Sequence, residues 1–296
     1  MIIPDTPRVT RIIREVWKPL SVLFIWDVLV TIVYFVLPFR APALPLTIFG
    51  SALALFLGFR ATSAYERWWE GRILWGSMIN ASRSLSRAIT AFLDDTRDGV
   101  VALKQDVVRR QIAYVHALRC ALRRQDHCPE VPIFLNADAI DELDGRNNRP
   151  NGILDGTAHR IAKAQRDGHL DTIQQSRIES ILIDIANAQG GMERIKNTPL
   201  PMQYRFFPAL FARMFCILLP VGLVETLGIA TPVGSTIAGL MFLAVLQIGD
   251  ELVDPFSNDV HDVPMSAMCR TIEIDLLQSI EQSAPAPLTA VKGVLW

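Results

Sequence analysis

The 296-residue sequence has almost no net charge: 29 Lys and Arg stand against 30 Asp and Glu, a formal charge of -1. A nucleic-acid binder shows a basic excess or a basic face, so nucleic acid is not an expected partner. Cysteine is scarce. Cys120, Cys128, Cys216 and Cys269 follow no secreted-scaffold spacing, which argues against a disulfide framework and for reduced thiols. His116 and Cys120, four apart, with His127 and Cys128 nearby, superficially offer four zinc ligands, yet the spacing fits no zinc module. A Gly-rich phosphate loop, a nucleophile elbow and an HExxH pair are all missing, so nothing points to catalysis, a metal or a cofactor. No segment alternates over several residues as a strand does, which leaves an all-α chain.

What the sequence has is apolar length, with half of its residues hydrophobic. Asp27 is the only charge between Lys18 and Arg40, and none occurs from Ala41 to Phe59. A third run, FFPALFARMFCILLPVGLV, is broken only by Arg213, and a fourth is uncharged from Thr226 to Gly249. About twenty helical residues cover the roughly 30 Å of a bilayer's hydrocarbon. Four membrane helices in two hairpins are therefore expected, buried core helices being the alternative. The first run is too long for a cleaved signal peptide and lacks a small-residue cleavage site.

The loop charges give an orientation. Arg8, Arg11, Arg14, Lys18, Arg60, Arg67, Arg72, Arg194, Lys196 and Arg205 fall on one side and Arg40 on the other. By the positive-inside rule both termini and the middle of the chain are cytoplasmic, in a cell membrane. The Trp68-Trp69 pair suits the boundary where the second helix emerges, and the helix need not stop there. The expected division is a cytosolic segment over 1–19, a hairpin over 20–64, a cytosolic helical domain over 65–202, a second hairpin over 203–250 and a cytosolic segment over 251–296. Within the middle domain residues 144 to 156, DGRNNRPNGILDG, read as a loop. A last helix follows Pro264 and ends in a mobile Pro- and Ala-containing tail.

Three patterns could carry a role. On the second span Gly50, Ala54 and Gly58 repeat every four residues, which lets helices approach closely in lipid. The adjacent stripe, Ser51, Leu55 and Phe59, becomes a hydrophobic constriction if several copies surround one axis, and is ordinary lipid-facing or core packing if they do not. Asp27 and Arg213 each lie eight residues past a flanking marker, Pro19 and Arg205, so both reach about 12 Å deep from the same side. An unpaired charge there costs about 2.5–3.5 kcal/mol, which motivates an Asp27–Arg213 contact, a water-filled cavity being the other way to satisfy each.

The blocks FLGFRATSAYERWWEGR, AQGGMERIKNTPLP and DELVDPFSNDVHDVP together resemble the bestrophin family of ion channels, in its bacterial branch. The resemblance runs from about Arg8 to Pro264 and is weakest between about residues 95 and 165. It implies a homopentamer, helical throughout, with one ion pathway on the fivefold axis. It also places the narrow neck on Ser51, Leu55 and Phe59, the serine standing where the family has a large apolar residue. A second, cytosolic aperture falls by spacing on Leu170, with Ile173 as substitute. Animal relatives bind calcium through an acidic run at this chain's SNDVHD. Here only Asp259 and Asp262 are acidic, a poor supply for an ion that takes six to eight oxygens. Asp254, Asp259 and Asp262 are therefore read as hydrogen-bonding or interface residues first and calcium ligands second. The bacterial resemblance favours monovalent cations such as sodium and potassium over chloride. Glu66, seven residues past Phe59 on nearly the same face, would put negative charge at the inner mouth, unless Arg60 and Arg67 neutralise it. The readings left open are a chloride channel of the same fold, a non-conducting membrane-anchored scaffold or sensor, and, more weakly, a transporter.

Overall fold

A computed structural model describes residues 9–37 and 44–296 of the chain, with side chains from Val16 onward. Arg8 and Arg40 lie outside these residues, as do the side chains of Arg11 and Arg14. The elements are helices: α1 (Val9–Val36), α2 (Leu46–Phe92), α3 (Val100–Leu122), α4 (Val131–Phe134), α5 (Ala137–Asp141), α6 (Arg149–Arg166), α7 (Thr172–Asn197), α8 (Met202–Leu227), α9 (Thr231–Leu252) and α10 (Met265–Ser279). A single 3-10 turn, Gly228–Ala230, joins α8 to α9. No strand occurs among the described residues, only an isolated bridge between Val291 and Val294.

The chain divides into two compact units. The first comprises the described residues up to Trp68 together with Pro199–Val253. Val16–Val36, α2 and the stretch Met202–Leu252 are long and apolar enough to cross a membrane. Their shared core is Val16 of α1, Leu53 and Leu57 of α2, Ala212, Phe215 and Leu219 of α8, and Leu243 and Leu246 of α9. Phe215 meets Phe242 edge to face at 5.2 Å. Pro19, Pro208 and Pro220 lie inside these helices, where a soluble helix would break. Membrane helices tolerate this because neighbouring groups can satisfy the freed carbonyls. Across the same unit Trp26 Nε1 of α1 donates to the Ile217 carbonyl of α8 at 2.9 Å.

The second unit comprises Trp69–Thr198 and Asp254–Trp296. Its centre is α3, which is buried on nearly every side from Val107 to Cys120 and packs against α6 and α10. A helix with no solvent face must satisfy its polar side chains internally. Tyr114 Oη donates to Gln189 Oε1 at 2.7 Å, and Gln111 Nε2 to Ser82 Oγ at 2.9 Å. The turn from α6 to α7 follows from local sequence. Gly168 takes a left-handed φ of 80°, and Asp171 and Gln174 close a capping box at the start of α7.

Two expectations fail in this unit. The loop read over 144–156 ends at Asn148, whose side chain accepts from the Asn151 N–H and starts α6, with Pro150 in the first turn. An Asn cap followed by Pro is itself a helix-start signal, and it outweighs the Asn and Gly around it. The tail read as mobile returns to α10, where the Ala267 N–H donates to the Trp296 carbonyl at 2.7 Å.

Candidate functional site

α2 separates its faces by position. At 100° per residue, Ser51, Leu55, Phe59 and Glu66 fall within one arc of about 80°, while Leu53, Leu57, Arg60 and Ala64 fall on the opposite side. The structure follows that division. Leu55 and Phe59 are each 59 % exposed, Ser51 and Glu66 are exposed, and Leu53, Leu57, Arg60 and Ala64 are all buried. The subunit thus uses one face of α2 for its own core and leaves a column of hydroxyl, leucine, phenylalanine and carboxylate open. The Ser51 hydroxyl donates to the Thr47 carbonyl at 2.7 Å, so its proton is held by its own helix.

The cations beside Glu66 are turned away from this column. Arg60 is 2 % exposed and pairs with Asp250 of α9, its Nε and Nη1 having no partner. Arg67 donates from Nε to the Val253 carbonyl at 2.7 Å. Glu66 makes no ion pair among the described residues and is the exposed charge of the face. The Arg60–Asp250 pair went unread in the sequence, although Asp250 directly follows an uncharged span as Arg60 directly follows the apolar run of α2.

The small-residue stripe packs only in part. A Cβ on Gly50 would lie 3.3 Å from the Phe215 ring, whereas one on Gly58 would meet nothing within 4 Å. Ala54 is exposed as well. Within this chain Gly50 alone of the stripe makes a close approach, while Leu53 and Leu57 on another face carry the core packing.

The expected Asp27–Arg213 pair does not form. The Asp27 carboxylate accepts from Ser235 Oγ at 3.1 Å and Thr236 Oγ1 at 2.9 Å, both on α9. Arg213 is exposed instead, lining an apolar groove of about 710 Å³ that also takes in Lys18. Equal depth was a sound inference, but depth does not fix which helix face a residue occupies. Two hydroxyls at consecutive positions of α9 satisfy Asp27 without a cation.

The two residues considered for a cytosolic aperture differ in exposure. Leu170 is 4 % exposed and belongs to the core, held there because it lies in the tight turn before the α7 cap. Ile173, in the first turn of α7, is 73 % exposed. Of the two, only Ile173 can face an aqueous passage.

Of the three aspartates considered for calcium, the carboxylates of Asp254 and Asp262 accept hydrogen bonds within the chain. Asp254 pairs with Lys196 at 2.7 Å and accepts from the Phe256 N–H at 3.2 Å. Those hydrogen bonds, against an opposing effect of burial, hold its carboxyl below the usual range. Asp262 accepts from the Asp259 N–H at 2.9 Å, and burial pushes its carboxyl up to about 6. The suggested zinc quartet is not assembled. His116 faces Glu273 at 3.2 Å, and His127 is exposed.

A scan against family models matches residues 8–278 to the bacterial and fungal bestrophin protein family. The chain belongs to that bestrophin family. Among its relatives is the voltage-dependent anion channel-forming protein YneE of Salmonella typhi, 35 % identical over 279 residues, or 93 % of this chain and 90 % of the relative. The protein of that name from Escherichia coli K12 is 36 % identical over 239 residues, 81 % of this chain and 77 % of the relative. A solved bacterial bestrophin homologue from Klebsiella pneumoniae superposes with a TM-score of 0.85 at 29 % identity, over 90 % of this chain and 99 % of that one. As a bestrophin, the chain is a membrane protein of the ion-channel kind and not an enzyme.

Proposed function

We propose that this bestrophin assembles as a homopentamer in the bacterial inner membrane and conducts monovalent ions passively. α1, α2, α8 and α9 serve as its four spans, and both termini are cytoplasmic. Leu55 and Phe59 form a hydrophobic neck around the fivefold axis, Ser51 wets its outer end, and Ile173 rings a second, cytosolic aperture. The observation that carries this reading is the exposure of Leu55 and Phe59, two large apolar side chains turned out from a helix whose opposite face is fully packed. A ring of such residues passes ions only when it is wetted, which makes it a gate.

Cations are the favoured ions, because the one charge open on that face is Glu66 and the neighbouring guanidiniums are engaged elsewhere. The second reading is anion conduction, which the names of the relatives favour. Single-channel recording of the purified protein under asymmetric sodium chloride separates the two. Unitary currents reversing toward the sodium potential support the cation reading, and reversal toward the chloride potential supports the other. Silence that persists when Leu55 and Phe59 are both cut to Ala refutes conduction.

A further inference from the structure

Outside the ion pathway the structure gathers a second cluster, on α3 and the loop after it. Cys120 lies near the end of α3 and Cys128 in that loop, and their sulfurs stand within 4.8 Å of each other and of a Glu130 carboxylate oxygen. Cys120 and Cys128 both border a cavity of about 780 Å³. Arg119 occupies the middle of the group. Its Nη2 lies 2.9 Å from both Glu130 oxygens and 3.3 Å from Cys120 Sγ. The Cys128 thiol faces the His116 carbonyl at 3.3 Å and Glu130 Oε2 at 3.5 Å.

A soft metal ion is the first occupant such ligands suggest, yet the place for a cation is already filled. Binding one would expel a guanidinium that is itself almost fully buried, leaving its charge without a partner. What the arrangement does favour is a thiolate on Cys120 beside a protonated Cys128. The neighbouring Cys128 thiol, and then Arg119, bring the Cys120 thiol down to about 6 against the opposing effect of burial. The same neighbour, together with burial, pushes the Cys128 thiol up. A low-lying thiolate next to a second thiol is the pattern of a reactive and a resolving cysteine.

We propose that Cys120 and Cys128 are an oxidative modification site, a dithiol that hydrogen peroxide converts to an intrachain disulfide. The Cys120 thiolate attacks one peroxide oxygen, the O–O bond breaks, and the departing hydroxide takes a proton from solvent to leave as water. The Cys120 sulfenic acid is then attacked by the Cys128 sulfur, forming the S–S bond and releasing a second water. The two sulfurs together lose two electrons and the peroxide gains them. Size selects the oxidant. Cys120 is 3 % exposed and borders the cavity, a setting that admits a peroxide more readily than a bulky disulfide such as oxidised glutathione. The sulfurs must close on each other by a few ångströms to reach the roughly 2 Å of a disulfide, and Cys128 can travel because it sits in a loop, not in a helix.

The test uses the full-length, reduced protein in detergent or nanodiscs, treated with hydrogen peroxide, alkylated and read by peptide mass spectrometry. The expected product is a Cys120–Cys128 cross-linked peptide, with Cys216 and Cys269 recovered as free thiols. Cys128→Ser is expected to stop at a Cys120 sulfenic acid that dimedone traps. Arg119→Gln is expected to slow Cys120 alkylation at pH 7 by about tenfold, since it lowers the thiolate fraction. Should that variant fail to fold, the pH profile of Cys120 alkylation in the wild type carries the same information, with a midpoint near pH 6. Cys120 reacting no faster than Cys269, or oxidising in the wild type with no bond to Cys128, overturns the proposal.

Discussion

Glu66→Gln is expected to weaken cation preference in a way that depends steeply on salt. Seven residues separate Glu66 from Phe59, about 10 Å along a helix. One charge at about 10 Å in water contributes about 0.4 kcal/mol to an ion in the neck, so five copies contribute about 2 kcal/mol before screening. The Debye length is about 10 Å at 0.1 M and about 30 Å at 0.01 M, which leaves about 0.8 and about 1.5 kcal/mol respectively. The same potential enriches cations and depletes anions, so the permeability ratio shifts by about tenfold at 0.1 M and about a hundredfold at 0.01 M, and hardly at all at 1 M. Reversal potentials of wild type and variant, measured in bilayers at the three salt concentrations, read this directly. A ratio unchanged at 0.01 M refutes the reasoning. So does a change that persists undiminished at 1 M, because no screened field behaves that way.

Leu170→Ala is expected to destabilise the protein by about 2–5 kcal/mol, as core leucines do, with unitary conductance intact. Ile173→Ala is expected to leave the melting temperature unchanged and alter conductance, and the opposite pair of outcomes would return the aperture to Leu170. Asp262→Asn is expected to stabilise. The carboxyl sits at about 6 in the folded chain against 3.8 for a free aspartate, so the folded state holds the extra proton and wild-type stability falls as pH rises from about 4 to about 6. The variant should therefore gain up to about 3 kcal/mol at pH 8 and nothing below pH 4, as measured by thermal melts; equal melting temperatures at pH 8 count against it. Asp250→Asn should cost about 3 kcal/mol by leaving the Arg60 guanidinium uncompensated, and adding Arg60→Met should recover most of the loss. A double variant no more stable than the single would remove the pair from the account.

The sequence made the helical class and the exposed column of α2 legible for the same reason: both follow from periodicity, which is a local property. Charge-free length marked the apolar helices, and 100° steps placed Ser51, Leu55 and Phe59 on one face. Partnership was less legible. Asp27 and Arg213 share a depth, but whether they touch depends on the rotation of α1 and α8 about their own axes, and Ser235 and Thr236 look like ordinary small residues in an apolar run. Leu170 and Ile173 differ by three positions and by nearly the full range of exposure, because a capping box begins a helix between them. Cys120 and Cys128 were noticed as a group, yet with the wrong companions. It took the end of α3 to bring Glu130 near them in place of a histidine.

The pairing of Arg60 with Asp250 also sets a schedule. These residues are separated by 190 positions. At roughly 5–20 residues per second of synthesis, Arg60 waits about 10 to 40 s for its counterion to be made. During that interval the buried face of α2 carries a bare guanidinium, and for most of it, until synthesis passes Met202, neither α8 nor α9 exists to cover Leu53 and Leu57. The first hairpin is therefore an unfinished object while the ribosome is still at work, and completing the last apolar helix is what commits α2 to showing one face inward and the other outward.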